Sequence, residues 1–191
     1  VVMGTGEPFD NYDNVMDFIR IVNHPKALAI GARHISVSTC GLVPGIEKYA
    51  HEGLQTNLAI SLHAPNDEIR NKLMPISKAY PMDKLMDAVR YYEKEAGRRV
   101  TFEYIMLQDV NDSLECAEEL VNLVRGTMSY INLIPYNPVD EHSFKRSSDK
   151  NVHKFFSYLK QHGVNTTVRK EFGNDIDAAC GQLRAKEILH K

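Results

Sequence analysis

Hydrophobic residues recur with two different periods that alternate along the chain. Four segments repeat apolar residues at the three- or four-residue spacing of one helix face. These faces are Val15, Phe18, Ile19 and Val22; Leu85, Ala88, Val89 and Tyr92; Leu114, Ala117, Val121 and Val124; and Val152, Phe155, Phe156 and Leu159. Short runs around them predict strands near residues 1–5, 34–39, 57–63, 100–107, 130–135 and 165–169. This alternation predicts an α/β fold with mostly parallel strands and outer helices.

Polar and apolar side chains fall on opposite faces of the predicted strands. Ser38 alternates with Val37, Ser61 alternates with Ile60, and Glu103 lies on the polar face of the next strand. A fully packed α/β barrel fills its lumen with branched apolar residues. A lumen lined by Ser, His, Asn and Glu instead requires a large ligand or bound water. The alternative is an antiparallel sheet with one solvated face.

The composition is that of an ordinary globular domain. The 191 residues, 43% hydrophobic and 25% charged, suffice for a single domain over residues 1–191. The net charge of −2 does not indicate a nucleic-acid partner, although one basic face can exist within a near-neutral total. No apolar run approaches the ~20 residues of a membrane span. Cys40, Cys116 and Cys180 match no metal-binding spacing and fit a reducing, cytoplasmic location.

Short motifs with chemical potential cluster at the predicted carboxyl ends of the strands. They are Met3-Gly4-Thr5-Gly6-Glu7-Pro8, Ser38-Thr39-Cys40-Gly41, Ala59-Ile60-Ser61-Leu62-His63-Ala64-Pro65 and Asn132-Leu133-Ile134-Pro135-Tyr136-Asn137-Pro138. Each alone is a weak signal, since Ser38 fits a simple strand-end hydroxyl and His63 a core histidine. Parallel α/β folds bind their ligands at this edge, so the coincidence favours one shared site.

A fifth motif surrounds Cys180, in the small-residue run Gly173–Gln182. Asp175 and Asp177 lie close by in sequence, and carboxylates raise the pKa of a thiol. Such surroundings disfavour a simple thiolate nucleophile. They are better suited to a thiol that becomes methylated or works as a thioether.

These motifs together resemble the dual-specificity radical-SAM RNA methyltransferases of the RlmN type. The resemblance rests on the fragments above, in the same order, with Val168-Arg169-Lys170 and Asp175-Ile176-Asp177-Ala178-Ala179-Cys180-Gly181-Gln182-Leu183 completing the set. It covers essentially the whole chain. It implies a partial radical-SAM (β/α)6 barrel that lacks its first strand and an N-terminal accessory domain.

The resemblance also implies a binding site and a reaction. Residues expected to bind S-adenosylmethionine (SAM) are Gly6, Glu7, Ser38, Ser61, Leu62, His63 and Asn137. Cys180 would be methylated by one SAM, and a [4Fe–4S] cluster would reduce a second SAM to a 5′-deoxyadenosyl radical. That radical would take hydrogen from the S-methyl group, and the carbon radical would add to C2 of an adenine. The implied substrates are 23S rRNA and tRNA, and the implied electron donor is a protein such as flavodoxin.

Some parts expected of such an enzyme are not found in this sequence. Val1-Val2-Met3-Gly4 has the pattern of a strand interior, so we expect a fragment of a longer protein. No Cys-x-x-x-Cys-x-x-Cys motif is present, and neither Cys40 nor Cys116 matches the resolving cysteine. We therefore expect the fragment alone to bind no cluster and to be inactive. A sheet edge exposed before residue 1 predicts a dimer.

Two other functions fit the same sequence. One is the sister enzyme that methylates C8 of the same adenine and confers antibiotic resistance on the ribosome. The other is a non-catalytic RNA-binding protein that has lost its cluster. A basic rim around Cys180 would bind RNA, or these cations are solvated surface charges: Lys145, Arg146, Arg169, Lys170, Arg184 and Lys186.

Overall fold

The computed structural model describes residues 1–4, 6–138 and 143–169 and contains a five-stranded sheet. Its strands lie side by side in chain order: β1 (Ser36–Thr39), β2 (Asn57–Ser61), β3 (Val100–Met106), β4 (Tyr130–Pro135) and β5 (Thr166–Val168). All four neighbouring pairs are parallel. This pairing confirms the predicted α/β class and excludes the antiparallel alternative.

Helices make the crossovers between these strands, except that α1 precedes β1. In the described part of the chain they are α1 (Tyr12–Asn23), α2 (Val43–Tyr49), α3 (Asp67–Leu73), α4 (Met82–Ala96), α5 (Leu114–Leu123) and α6 (Asp149–Gln161). Short 3₁₀ helices span Pro8–Asn11, Ala32–His34 and Pro75–Lys78. Crossovers between parallel strands are right-handed, so a sheet that always advances in one direction has its helices on one face. No described helix has the length and apolar character to cross a membrane.

The two faces of the sheet differ as the sequence predicts. The face towards the helices is fully buried and apolar, with Val37, Ile60 and Phe102 at 0% exposure. The opposite face is only partly covered, and Ser61 and Glu103 lie on it. The sheet therefore has a packed convex side and an open polar side, as expected for part of a barrel.

The strand predicted over residues 1–5 is much shorter in the structure. Val2 forms a single parallel bridge to Val37, in which the Val2 amide donates to the Ser36 carbonyl at 2.7 Å. Gly4 and Gly6 then adopt positive φ angles of 138° and 113°. These angles turn the chain away from the extended conformation that a strand requires.

Two residues of the predicted helix faces are exposed. Phe18 in α1 is 52% exposed and Leu114 in α5 is 46% exposed, so their assignment to the core was wrong. In α1 the buried stripe instead includes Tyr12 and Met16, which the apolar count had omitted. Leu114 lies in the first turn of α5, which Ser113 caps by accepting the Cys116 amide.

Replacing Phe102 with Ala should lower the free energy of unfolding by about 3–5 kcal/mol, because the ring is fully buried between sheet and helices. The matched control is Phe18→Ala in α1, which should change stability by less than about 0.5 kcal/mol. Urea unfolding followed by circular dichroism measures both. Equal losses in the two variants would contradict this assignment of the core.

Candidate functional site

The parallel strands bring the predicted motifs to one edge of the sheet. The carboxyl ends of β1, β2 and β4 carry Ser38, Ser61 and Asn137 respectively, and all three side chains are half-buried. Ser61 lies opposite Glu103 on β3, which in turn lies opposite Asn132 on β4. The polar face therefore carries a continuous row of hydrogen-bonding side chains near its carboxyl end.

Glu7 ties the segment after Val2 to the end of β1. One carboxylate oxygen accepts the Cys40 amide at 2.7 Å, and the other accepts the Phe9 amide at 3.1 Å. Two amides do not saturate the lone pairs of a carboxylate, so Glu7 can still accept a cationic group. Burial and the nearby Glu7 carboxylate together raise the pKa of the Cys40 thiol to about 12. Cys40 is therefore a protonated thiol at neutral pH.

Gly6 leaves the backbone open beside Glu7. Its φ angle of 113° is one that L side chains rarely adopt, and no atom lies within 4 Å of the position of an added Cβ. The glycine is thus required by its backbone conformation and not by crowding. The arrangement allows a ligand to approach the peptide backbone closely.

His63 follows β2 in a left-handed conformation, with φ at 59°. Its Nδ1 accepts the Ile105 amide at 3.2 Å, and its carbonyl oxygen accepts the Asn111 side-chain amide at 2.7 Å. Burial, and secondly the charge of Arg70, lower the pKa of His63 to about 4. The ring is neutral at pH 7, and because Nδ1 is an acceptor, Nε2 carries the proton and is a donor.

Leu62 faces away from this polar edge. Its side chain is fully buried with the apolar core. Its amide donates to the Glu103 carbonyl at 3.0 Å, and its carbonyl accepts from Arg70 Nε at 3.3 Å. Both backbone groups of Leu62 therefore hold the Ser61–His63 segment in place.

A hydrogen-bonded ladder crosses the polar face beyond His63. Asn132 donates to the Glu103 carboxylate at 2.7 Å, and Thr167 donates to Asn132 at 3.3 Å. Burial raises the pKa of Glu103, whereas the Asn132 hydrogen bond and the charge of Arg169 act in the opposite direction. The ladder adds acceptors and a hydroxyl to the surface that a ligand would meet.

Sequence reasoning missed two buried residues that organise the site. Arg70 donates to three carbonyl oxygens at the ends of β1 and β2. Asn111 donates to the His63 and Ile105 carbonyls, both at 2.7 Å, and accepts the Leu107 amide. For Asn111 the sequence offers one signal, an Asn-Asp pair after the strand, because such side chains commonly hydrogen-bond the backbone of turns.

Asp112 contributes to the same framework on the other side of the loop. Its carboxylate accepts the Ser147 hydroxyl, the Asn151 side-chain amide at 2.7 Å and the Asp109 backbone amide at 3.0 Å. These bonds anchor the start of α6 to the loop after β3. Side-chain hydrogen bonds therefore hold the loops at the carboxyl ends of the strands in place, from the loop after β1 to the start of α6.

The arrangement is suited to binding more than to ordinary acid–base catalysis. It offers the Glu7 carboxylate for a cation, a neutral imidazole donor, and serine and asparagine groups for hydroxyls or a purine. Within the described ranges no three His, Cys, Asp or Glu side chains are placed to hold a metal ion. Cys180, the predicted reactive residue, lies outside the described residues, as do Lys170, Arg184 and Lys186.

Comparison with known proteins gives a consistent result. The family model described as "Radical SAM superfamily" matches residues 1–124. A curated relative from Spiroplasma citri, "Probable dual-specificity RNA methyltransferase RlmN", is 62% identical over 97% of this chain and 53% of its own length. The chain thus spans about half the length of the curated relatives it matches.

Solved structures agree on the fold. A radical SAM methyltransferase from Sphaerobacter thermophilus superposes with a TM-score of 0.91 and 48% identity, covering 94% of this chain and 53% of that one. A domain of a pyruvate-formate lyase-activating enzyme from Bacteroides vulgatus has a TM-score of 0.67 at 15% identity, covering 89% of this chain and 98% of that one. The second likeness shows the fold alone.

Replacing Glu7 with Gln should lower the pKa of the Cys40 thiol below about 12, because the carboxylate disfavours the thiolate. The change should be partial, since burial is the largest cause and is unaffected. Alkylation of Cys40 at a series of pH values, quantified by peptide mass mapping, measures the shift. Glu47→Gln, an exposed change in α2, is the control. An unchanged Cys40 profile in Glu7→Gln would refute the contact.

Proposed function

The chain belongs to the radical SAM superfamily, and from this premise we propose that it forms the SAM-binding part of an RNA methyltransferase of the RlmN type. The observation that carries the proposal is the carboxylate of Glu7 at the mouth of a polar sheet face. Buried polar side chains need partners, and a charged ligand rich in hydrogen-bonding groups supplies them.

The proposed SAM site consists of Gly6, Glu7, Ser38, Ser61, Leu62, His63 and Asn137. In it Glu7 would pair with the ammonium group of the ligand, and Gly6 would let the ligand approach the backbone. His63 and the serines would hydrogen-bond its polar groups, and Leu62 would contribute through its position in the loop. SAM supplies a transferable methyl group and a precursor of a carbon radical. The protein's own task is to bind, orient and exclude water.

The proposed reaction transfers a methyl group to C2 of an adenine in 23S rRNA, with tRNA as a second substrate. C2 of adenine is electron-poor, so direct transfer from a sulfonium donor is disfavoured and a carrier residue is needed. We propose Cys180 as that carrier. The curated relatives are named as RlmN-type enzymes, which supports this reaction over transfer to C8.

The [4Fe–4S] cluster of such enzymes does not fit the residues of this chain. The three cysteines of the sequence are widely separated, and the described residues offer no three-ligand set. We therefore derive no step through a cluster. An electron donor such as flavodoxin belongs to the same proposal, as does a cytoplasmic location.

Positive side chains near the same edge support RNA as the partner. Lys145 and Arg169 are exposed, and Arg146 bridges to Leu107 just after β3. Phosphate contacts from such residues hold RNA without reading its sequence. At the other side of the sheet Val2 is the one described residue that pairs with the outer edge of β1, which supports a dimer formed by strand pairing.

Isothermal titration of SAM into the 191-residue chain tests the site. We expect binding to the wild-type chain, and a loss of affinity of about tenfold or more in Glu7→Gln, because an ammonium–carboxylate pair becomes a neutral contact. Glu47→Gln should bind as the wild type does. Equal affinities in Glu7→Gln and wild type would remove Glu7 from the site, and no binding to either would count against the proposed function.

Replacing Cys180 with Ala within the full reading frame should abolish methylation of adenine in rRNA while SAM still binds. The matched control is Cys116→Ala, which removes a buried thiol of α5 and should retain methylation. Mass spectrometry of digested rRNA reads out the product, and peptide mapping of the wild type should show S-methylated Cys180. Full methylation by Cys180→Ala would overturn its proposed role as carrier.

A further inference from the structure

Arg70 is the largest fully buried side chain of the described residues, and the chemistry proposed above does not use it. It is the one buried residue of α3, a helix whose start is capped by Asn66 accepting the Ile69 amide at 3.0 Å. Among the described residues no carboxylate forms an ion pair with its guanidinium, and Nη1 has no hydrogen-bond partner. Burying an unpaired cation is costly, so a specific benefit must offset the cost.

The contacts of Arg70 indicate that benefit. Nη2 donates to the Cys40 carbonyl at 2.8 Å and to the Ser61 carbonyl at 3.4 Å, while Nε donates to the Leu62 carbonyl at 3.3 Å. The ladder between β1 and β2 ends at the pair Thr39–Ile60, so these three carbonyls lie beyond that ladder, although Ser61 still pairs with Glu103 on β3. The guanidinium therefore connects two loops that the sheet itself does not connect.

Gly41 leaves room for this connection. A Cβ at Gly41 would lie 3.0 Å from Arg70 Nη2 and 3.3 Å from a methyl carbon of Leu85. Its φ of 101° is also unfavourable for other residues. The loop after β1 is thus shaped to accept the guanidinium at close range.

We propose that Arg70 is a positioning residue of the SAM site, which fixes the Ser61–His63 segment against the end of β1 and so orients the Nε2–H of His63. The inference rests on the proposed function and deepens it. The hydrogen bonds from the Arg70 guanidinium fix the backbone of this segment. The Ile105 amide, which donates to Nδ1, sets the tautomer of the His63 ring.

Electrostatics supports the same role. The charge of Arg70 contributes to lowering the pKa of His63, because a protonated ring would place two cations close together. Other groups act here as well: a backbone hydrogen bond with Glu103 raises the pKa of His63, and the charge of Arg70 also interacts with Cys40 and Asp67. Burial raises the pKa of the Glu103 carboxyl group on β3. Glu103 is therefore less effective at stabilising a protonated His63 than a solvated carboxylate would be.

Two substitutions separate the charge of Arg70 from its geometry. Arg70→Lys keeps the cation but cannot reproduce the guanidinium fork, so SAM affinity should fall on the order of tenfold while His63 stays neutral. Arg70→Gln removes the charge as well, so the pKa of His63 should also rise from about 4 towards its ordinary 6.5. Arg90→Gln, an exposed arginine of α4, is the control for both measurements.

The measurements are calorimetric SAM binding and ¹⁵N NMR titration of the imidazole of His63 in the 191-residue chain. A merely structural Arg70 would lower thermal stability and leave both the affinity of the folded protein and the His63 titration unchanged, which would overturn the proposal. If neither variant folds, the wild-type spectrum decides: a neutral ring protonated on Nε2 down to pH 5 supports it, and titration near 6.5 or a proton on Nδ1 overturns it. Failure of the wild-type chain to bind SAM would reject the proposed function, whereas the NMR result still tests the positioning of His63.

Discussion

Hydrogen bonds from buried side chains to the strand ends hold the mouth of this sheet together. Beyond the last rung of each ladder the backbone has no neighbouring strand, yet its amides and carbonyls are still buried and need partners. Arg70 supplies them at the ends of β1 and β2, and Asn111 supplies them between His63 and β3. Glu7 does the same for the segment before α1 by accepting the Cys40 amide. The loops that carry the candidate ligand contacts are therefore fixed by these side chains, together with the backbone bonds from the Leu62 and His63 amides to the Glu103 carbonyl.

This framework also sets the charges of the site. Arg70 is buried without a described ion-pair partner, and its cation helps to keep His63 neutral. At Cys40 burial and the Glu7 carboxylate raise the pKa of the thiol, so this group also stays uncharged. The polar edge consequently presents one strong acceptor for a cation and several neutral hydrogen-bonding groups. Such a set recognises a ligand and holds it in place, and leaves the difficult chemistry to the ligand.

The described residues contain the sheet and the proposed SAM contacts, while this chain spans about half of each curated relative. Its likeness to the Sphaerobacter thermophilus methyltransferase covers 94% of the residues at a TM-score of 0.91. A distant activating-enzyme domain shares the architecture at 15% identity. The architecture of the sheet and its helices is thus common to both.

The sequence by itself determined the fold class, because period-2 and helical patterns report directly on which face of each element is buried. It also indicated the polar face and the strand-end motifs of Glu7, Ser61 and His63. Only the tertiary structure showed that Phe18 is exposed, that the first strand is reduced to the bridge at Val2, and that Arg70 is buried. Local sequence patterns cannot predict this burial, since a single arginine in a short helix has the pattern of an exposed surface charge. Its burial depends on carbonyl groups 30 and 8 or 9 residues away in sequence, which only the assembled sheet brings within hydrogen-bonding distance.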